Sequence, residues 1–145
     1  MYYTEKLEVG YRWYHARNVK PKFAFGHGLS YSSFTYTNIK ATATVTGTTV
    51  VTATVANSGS VDGNEVPQLY LDFPASVGEP PRQLKGFTKI FLAKGASKEV
   101  AFSLSARDKS LWSVATHSWE RASGTFIAHV GASSDDLRLS TSFTI

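Results

Sequence analysis

Short runs of alternating side chains, each stopped by glycine, proline or asparagine, recur along this chain and point to stacked β-sheets. In Ser97–Leu104, Val100, Phe102 and Leu104 face one way and Glu99, Ala101 and Ser103 the other. Thr49–Val55 is β-branched and alternating, and it runs into the turn cluster Asn57-Ser58-Gly59-Ser60. A strand from Ser33 through Tyr36 to Thr46 precedes it, with Gly47 as the break. After a turn at Asp62-Gly63, Val66, Gln68, Tyr70 and Asp72 alternate with Pro67, Leu69, Leu71 and Phe73. Pro67 predicts an edge position or the start of that strand, because proline cannot donate to a ladder. Pro74 to Pro81 reads as a loop, and Leu84–Leu92 as the next strand region.

Residues 106–115 are the least strand-like, with Ser105 or Asp108 placed to cap one helical turn. Ser118–Arg121, Gly124–Val130 and Leu137–Ile145 complete seven or eight strands, the last two separated by the turn Gly131–Asp136. Such spacing predicts an all-β, antiparallel sandwich of immunoglobulin-like topology, where helix–strand alternation would have meant a parallel sheet.

The chain has 145 residues, enough for one packed core. It contains no cysteine, which excludes disulfides, thiolate nucleophiles and Cys-based metal sites. No run approaches the roughly 18 apolar residues of a membrane helix. The formal charge of +4 is concentrated at the N-terminus: residues 1–40 carry six bases against Glu5 and Glu8, and the remainder is balanced. No basic stripe or reading motif accompanies it, so nucleic acid is not expected as a partner.

Ten of the 19 aromatic residues also fall within the first 36 positions. Pro21 and the run Phe25-Gly26-His27-Gly28-Leu29-Ser30 disfavour a continuous helix there. Residues 1–30 are therefore read as an extended, aromatic, basic strap, and 31–145 as the sandwich. Burying even half of the strap's rings is worth several kcal/mol at ~25 cal/mol per Å2, so the strap needs a surface.

Catalytic patterns are not evident. Asp135-Asp136 lies in a predicted turn, where neighbouring carboxylates are ordinarily solvated. His15, His27, His117 and His129 lack metal-ligand spacing, and no nucleophile elbow or phosphate-binding glycine loop occurs. No catalytic residue, metal or cofactor is expected. Aromatic faces remain, since flat rings stack on sugars and lignin-like aromatics. Trp112, between Leu111 and Ser113, is expected at the core or its edge and Trp13 as a docking residue of the strap, while the polar neighbours of Trp119 leave core and exposed contact roles equally open.

Val9-Gly10-Tyr11-Arg12-Trp13-Tyr14, Pro21, and Phe25-Gly26-His27-Gly28-Leu29-Ser30-Tyr31 with Phe34 and Tyr36 resemble the end of a family 3 glycoside hydrolase, the β-glucosidase and β-xylosidase family. Val55–Gly63, Gln68–Leu71, Pro80–Phe87 and Gly131–Asp136 are similar to that family's C-terminal fibronectin type III-like domain, in order and at the expected separations. The wording of Pro74–Phe87 looks most like the secreted fungal β-glucosidases. Where relatives tend to read Arg-Asp-Leu-Ser-x-Trp-Asp, this chain has Lys109 and Ser113.

The resemblance implies that the acid/base and nucleophilic carboxylates lie on preceding domains absent here. It further implies an extracellular setting, a strap that docks on those absent catalytic domains, and a Met1 introduced as a start. Tyr11, Arg12, Trp13, Tyr14, Phe25, His27, Tyr31 and Trp119 are the expected docking or polymer-contact residues. Three functions fit: a noncatalytic domain that stabilises the hydrolase core and positions polymeric substrate, a module binding cellulose or lignin, or a protein adhesion module.

Overall fold

The computed structural model describes residues 2–44 and 47–145, so Met1, Val45 and Thr46 lie outside the described residues. In chain order the strands are β1 (Phe34–Ala43), β2 (Thr49–Asn57), β3 (Gly63–Glu65), β4 (Gln68–Asp72), β5 (Gln83–Phe87), β6 (Ile90–Leu92), β7 (Ser97–Leu104), β8 (Ser110–Ser113), β9 (Ser118–Arg121), β10 (Thr125–Gly131) and β11 (Leu137–Thr144). One sheet has the order β1-β2-β7 and the other β11-β10-β4-β5; β3 pairs β6, β8 pairs β9, and every pairing is antiparallel. The fold is the all-β sandwich expected.

Alternation places the core. Val51, Ala53 and Val55 of β2 and Val100, Phe102 and Leu104 of β7 cluster with Leu69 and Leu71 of β4 and Phe126, Ala128 and Val130 of β10. Full burial of one Leu, Val or Phe contributes roughly 1.5–3 kcal/mol.

Pro67 immediately precedes β4, which lies between β10 and β5, so of its two expected positions it takes the start of the strand. Other elements differ from expectation. The Leu84–Leu92 run divides at Thr88-Lys89 into β5 and β6, which join different sheets. Asn57, expected in a turn, is the buried last residue of β2. Its amide donates to the carbonyls of Val61 and Leu92 (2.9 and 3.0 Å), and its Oδ1 accepts from Ser32 Oγ and the Gly59 N–H (2.6 and 3.0 Å).

Asp108 accepts bonds from the Ser105 N–H and hydroxyl (2.8 and 2.6 Å), capping the expected turn at Arg107–Lys109. The chain then enters β8, which the sequence reading lacked. Leu111 packs against the core, whereas the neighbouring Trp112 points outward and is half-exposed, correcting its core placement. Trp112 pairs with Trp119 across the β8–β9 ribbon, and alternation turns it to the side opposite Leu111. Lys109 is fully buried, and its Nζ donates to the Gly47 carbonyl and Thr49 Oγ1 (2.8 and 2.9 Å).

The strap is not extended throughout. Tyr11–Ala16 form a short helix, α1, entered at Gly10 (φ 65°) and followed by Asn18 in the left-handed region (φ 51°). Pro21 comes after this turn and so does not oppose it.

Candidate docking site of the N-terminal strap

Tyr11 and His15 are one helical turn apart, on the same face of α1, and their rings meet edge to face at 6.0 Å. That face lies on the outer surface of β4 and β5. Tyr11 stacks on Phe25 (4.4 Å between centroids, 9° between planes) and meets the edge of Tyr70 at 6.3 Å. Its hydroxyl accepts a bond from the Leu84 N–H at 2.9 Å. Leu84 belongs to edge strand β5, so the strap covers a donor that the ladder leaves open.

The segment after α1 is tied down by backbone. The Ser134 N–H donates to the Phe25 carbonyl at 2.9 Å. Gln68 Nε2 donates to the carbonyls of Gly26 and Ala132 (2.9 and 2.7 Å), while its Oε1 accepts from the Tyr70 hydroxyl at 2.6 Å. These bonds satisfy a nearly buried amide, which would otherwise cost a few kcal/mol. Gly26 is required: its φ is 79°, and a Cβ there would overlap the Gln68 side chain. Here the alternation of β4 misleads, because Gln68 and Tyr70 are buried on the face that pattern assigns to solvent.

Charged groups close the seat. Arg82 Nη1 bonds the Ser134 carbonyl (3.1 Å), Asp135 Oδ1 (3.3 Å) and His15 Nδ1 (3.2 Å); His15 Nε2 lies 3.5 Å from Asp135 Oδ1. Burial, then the Arg82 guanidinium, hold His15 below the ordinary imidazole value. Asp72 Oδ1 accepts from the Arg82 N–H and its Oδ2 bonds His129 Nε2 at 2.9 Å. Burial pushes Asp72 upward, but these bonds outweigh it and hold the carboxyl below its usual range. Asp136 is gripped by Arg138, which also donates to the Phe34 carbonyl at 2.6 Å. The paired aspartates are thus structural partners of arginines rather than merely solvated.

Of the eight expected residues, Tyr11 and Phe25 converge in this seat and Tyr14 borders it. Arg12, Trp13 and Tyr14 lie on the same helix; Arg17 covers the Trp13 ring at 4.7 Å and Tyr14 meets it edge-on at 5.3 Å. His27 stacks on Phe23 at 5.6 Å near the surface, and Tyr31 is wholly exposed. Trp119 stands on the β8–β9 ribbon, opposite Trp112. Those two rings are 5.6 Å apart but tilted by 60°, and Arg107 covers Trp119 at 3.4 Å, so they do not form a flat platform. Gln68, Tyr70, Leu84, Arg82 and Ser134 were missed as seat residues; a polar residue in a strand flanked by apolar neighbours, as at Gln68, was the available signal. Among the described residues, no group of three or more His, Asp or Glu side chains is placed to hold a metal, and no helix is long and apolar enough to cross a membrane.

Two antiparallel sheets with a seated strap define a fibronectin type III-like sandwich, and residues 65–134 match the model of the fibronectin type III-like domain. Over 99% of its length the chain is 47% identical to β-glucosidase cel3A of Pyricularia oryzae, of which it spans 23%. It superimposes on 23% of the crystal structure of β-glucosidase D2-BGL from Chaetomella raphigera with a TM-score of 0.94, at 41% identity and 98% coverage of this chain. The GH3 β-glucosidase of Bifidobacterium adolescentis gives a TM-score of 0.92 at 37% identity, covering 99% of this chain and 21% of that one. The chain is thus similar to the fibronectin type III-like part of these β-glucosidases, and spans less than a quarter of the relatives it matches.

Proposed function

We propose that this chain is a noncatalytic accessory domain of an extracellular β-glucosidase, whose strap forms the contact with the catalytic part and stabilises it. The carrying observation is the strap's second side. Tyr11 and Phe25 anchor it to the sandwich, while Tyr2, Tyr3, Phe23, Leu29 and Tyr31 remain exposed, Leu29 and Tyr31 by 94% and 101%. Apolar residues held outward on a fixed backbone suit a further protein surface. The sequence expectation that the strap's whole seat lies elsewhere is therefore replaced by a strap with two faces.

The test is the double variant Leu29→Ser/Tyr31→Ser, made both in this chain and in a full-length β-glucosidase carrying it. The expected result is an unchanged melting temperature for the chain and a lowered one for the full-length enzyme. An unchanged full-length enzyme overturns the proposal. Depletion of the chain by crystalline cellulose or lignin, relative to an inert resin, would instead favour the polymer-binding reading.

A further inference from the structure

A cleft of about 630 Å3 opens beside the strap's seat, between α1 and the segment following it on one side and β4, residues 81–82 and the β10–β11 turn on the other. Its volume falls within the roughly 300–1,000 Å3 typical of small-molecule sites. The functional groups facing it are Tyr14, His15, Asn18, Lys20, Asp72, Arg82 and Asp135. With the His15 imidazole held toward its neutral form, two cations and two carboxylates leave the lining without net charge, yet dense in both donors and acceptors.

Four of the lining groups are held in place. Asp72 is fixed by His129 and the Arg82 N–H, and Arg82 by Ser134, Asp135 and His15. The ammonium of Lys20 and the side-chain amide of Asn18 have no hydrogen-bond partner among the described residues. Tyr14, 40% exposed, supplies a flat apolar wall braced by Trp13.

An ion gains little here: Arg82 and Asp135 answer each other, Asp72 is met by His129 and the Arg82 N–H, and an anion would find Lys20 alone. A neutral ring with many hydroxyls uses every feature: hydroxyls donate to carboxylates and accept from Lys, Arg and Asn, while the C–H face of the ring lies on the tyrosine. We propose that this cleft is a binding site for a pyranose sugar, separate from the contact surface of Leu29 and Tyr31. The assignment stands on the cleft and is independent of how the strap meets a catalytic part.

The test is an NMR titration of the isotope-labelled 145-residue chain with glucose, cellobiose and cellotetraose, and with sodium acetate and glycine as charged controls. Saturable shifts at Tyr14, Asn18, Asp72, Arg82 and Asp135 are expected for the sugars, with a dissociation constant on the order of 1–10 mM, as befits few contacting atoms. Acetate and glycine should leave these signals in place. Tyr14→Ala should weaken sugar binding about tenfold and Lys20→Met about threefold, with the melting temperature of each variant unchanged. Affinity that rises from glucose to cellotetraose assigns the cleft to a glycan chain, and equal affinity to a free sugar. Shifts confined to Trp112 and Trp119, tighter binding of acetate or glycine, no saturable shift, or a Tyr14→Ala variant that titrates like the parent each overturn the proposal.

Discussion

In the sandwich, Leu69, Leu71, Leu104 and Phe126 are completely buried, whereas no described residue of the strap before Phe34 is buried. The sandwich is held by apolar side chains contributed from both sheets. The strap is held by a stacked ring pair, backbone carbonyls and a few charge-assisted bonds. Folding therefore has a cooperative part and an appended part, and the appended part should open at lower free energy. A lightly seated strap also suits a segment with a second surface to serve.

The largest test of that difference is Phe126→Ala. It should cost about 3–5 kcal/mol and lower the chemical-denaturation midpoint for strap and core together. Gly26→Ala should cost about 2 kcal/mol, because alanine is strained at positive φ and its Cβ displaces Gln68. Hydrogen exchange should place that loss at the Ser134 amide while the core amides of β2 and β7 stay protected. Equal loss of protection in both would erase the distinction between the two regions. Tyr11→Phe removes only the acceptor for the Leu84 N–H and should cost about 1 kcal/mol, read as faster exchange at Leu84.

Acid should act on the strap first. Once undocked, His15 takes up a proton near its ordinary value of 6.5, whereas the docked imidazole resists protonation to lower pH. Its contribution to docking is thus complete above about pH 6.5 and declines as the pH falls below it. Asp72, held below 3.8, contributes above that pH and is lost only as the pH falls through its lowered value. Protection at Ser134 and Leu84, taken relative to the intrinsic exchange rate at each pH, should fall as the pH drops below about 6.5 and before the core amides respond, and His15→Asn should remove that step. The smallest effect is Trp119→Ala, which loses the Arg107 contact on an exposed ribbon. Its cost should be under about 1 kcal/mol in melting experiments, without effect on strap amides.

How far the sequence could be read depended on the distance over which each feature is decided. Ser97–Leu104 matches β7 residue for residue, and the alternation of Thr49–Val55 names the buried face of β2, because side-chain direction in a strand is local. The capped turn at Arg107–Lys109 was legible for the same reason. The candidate seat was half-legible: an aromatic strap had to find a surface, but Gln68 lies 42 positions from Gly26 and Leu84 lies 73 from Tyr11. Nothing in the neighbourhood of either residue announces such a partner.

By itself, then, the sequence determined an antiparallel sandwich, the core faces of β2 and β7, several of its turns and the existence of an aromatic strap, all of which follow from periodicity and local backbone preference. The tertiary structure alone decided that this strap covers Gln68 and Tyr70, that Asn57 and Lys109 are buried, that Trp112 faces solvent, and that His15, Arg82, Asp72 and Asp135 border one cleft. Alternation tells which side of a strand a residue faces, and only the packing of distant segments settles whether that side meets water.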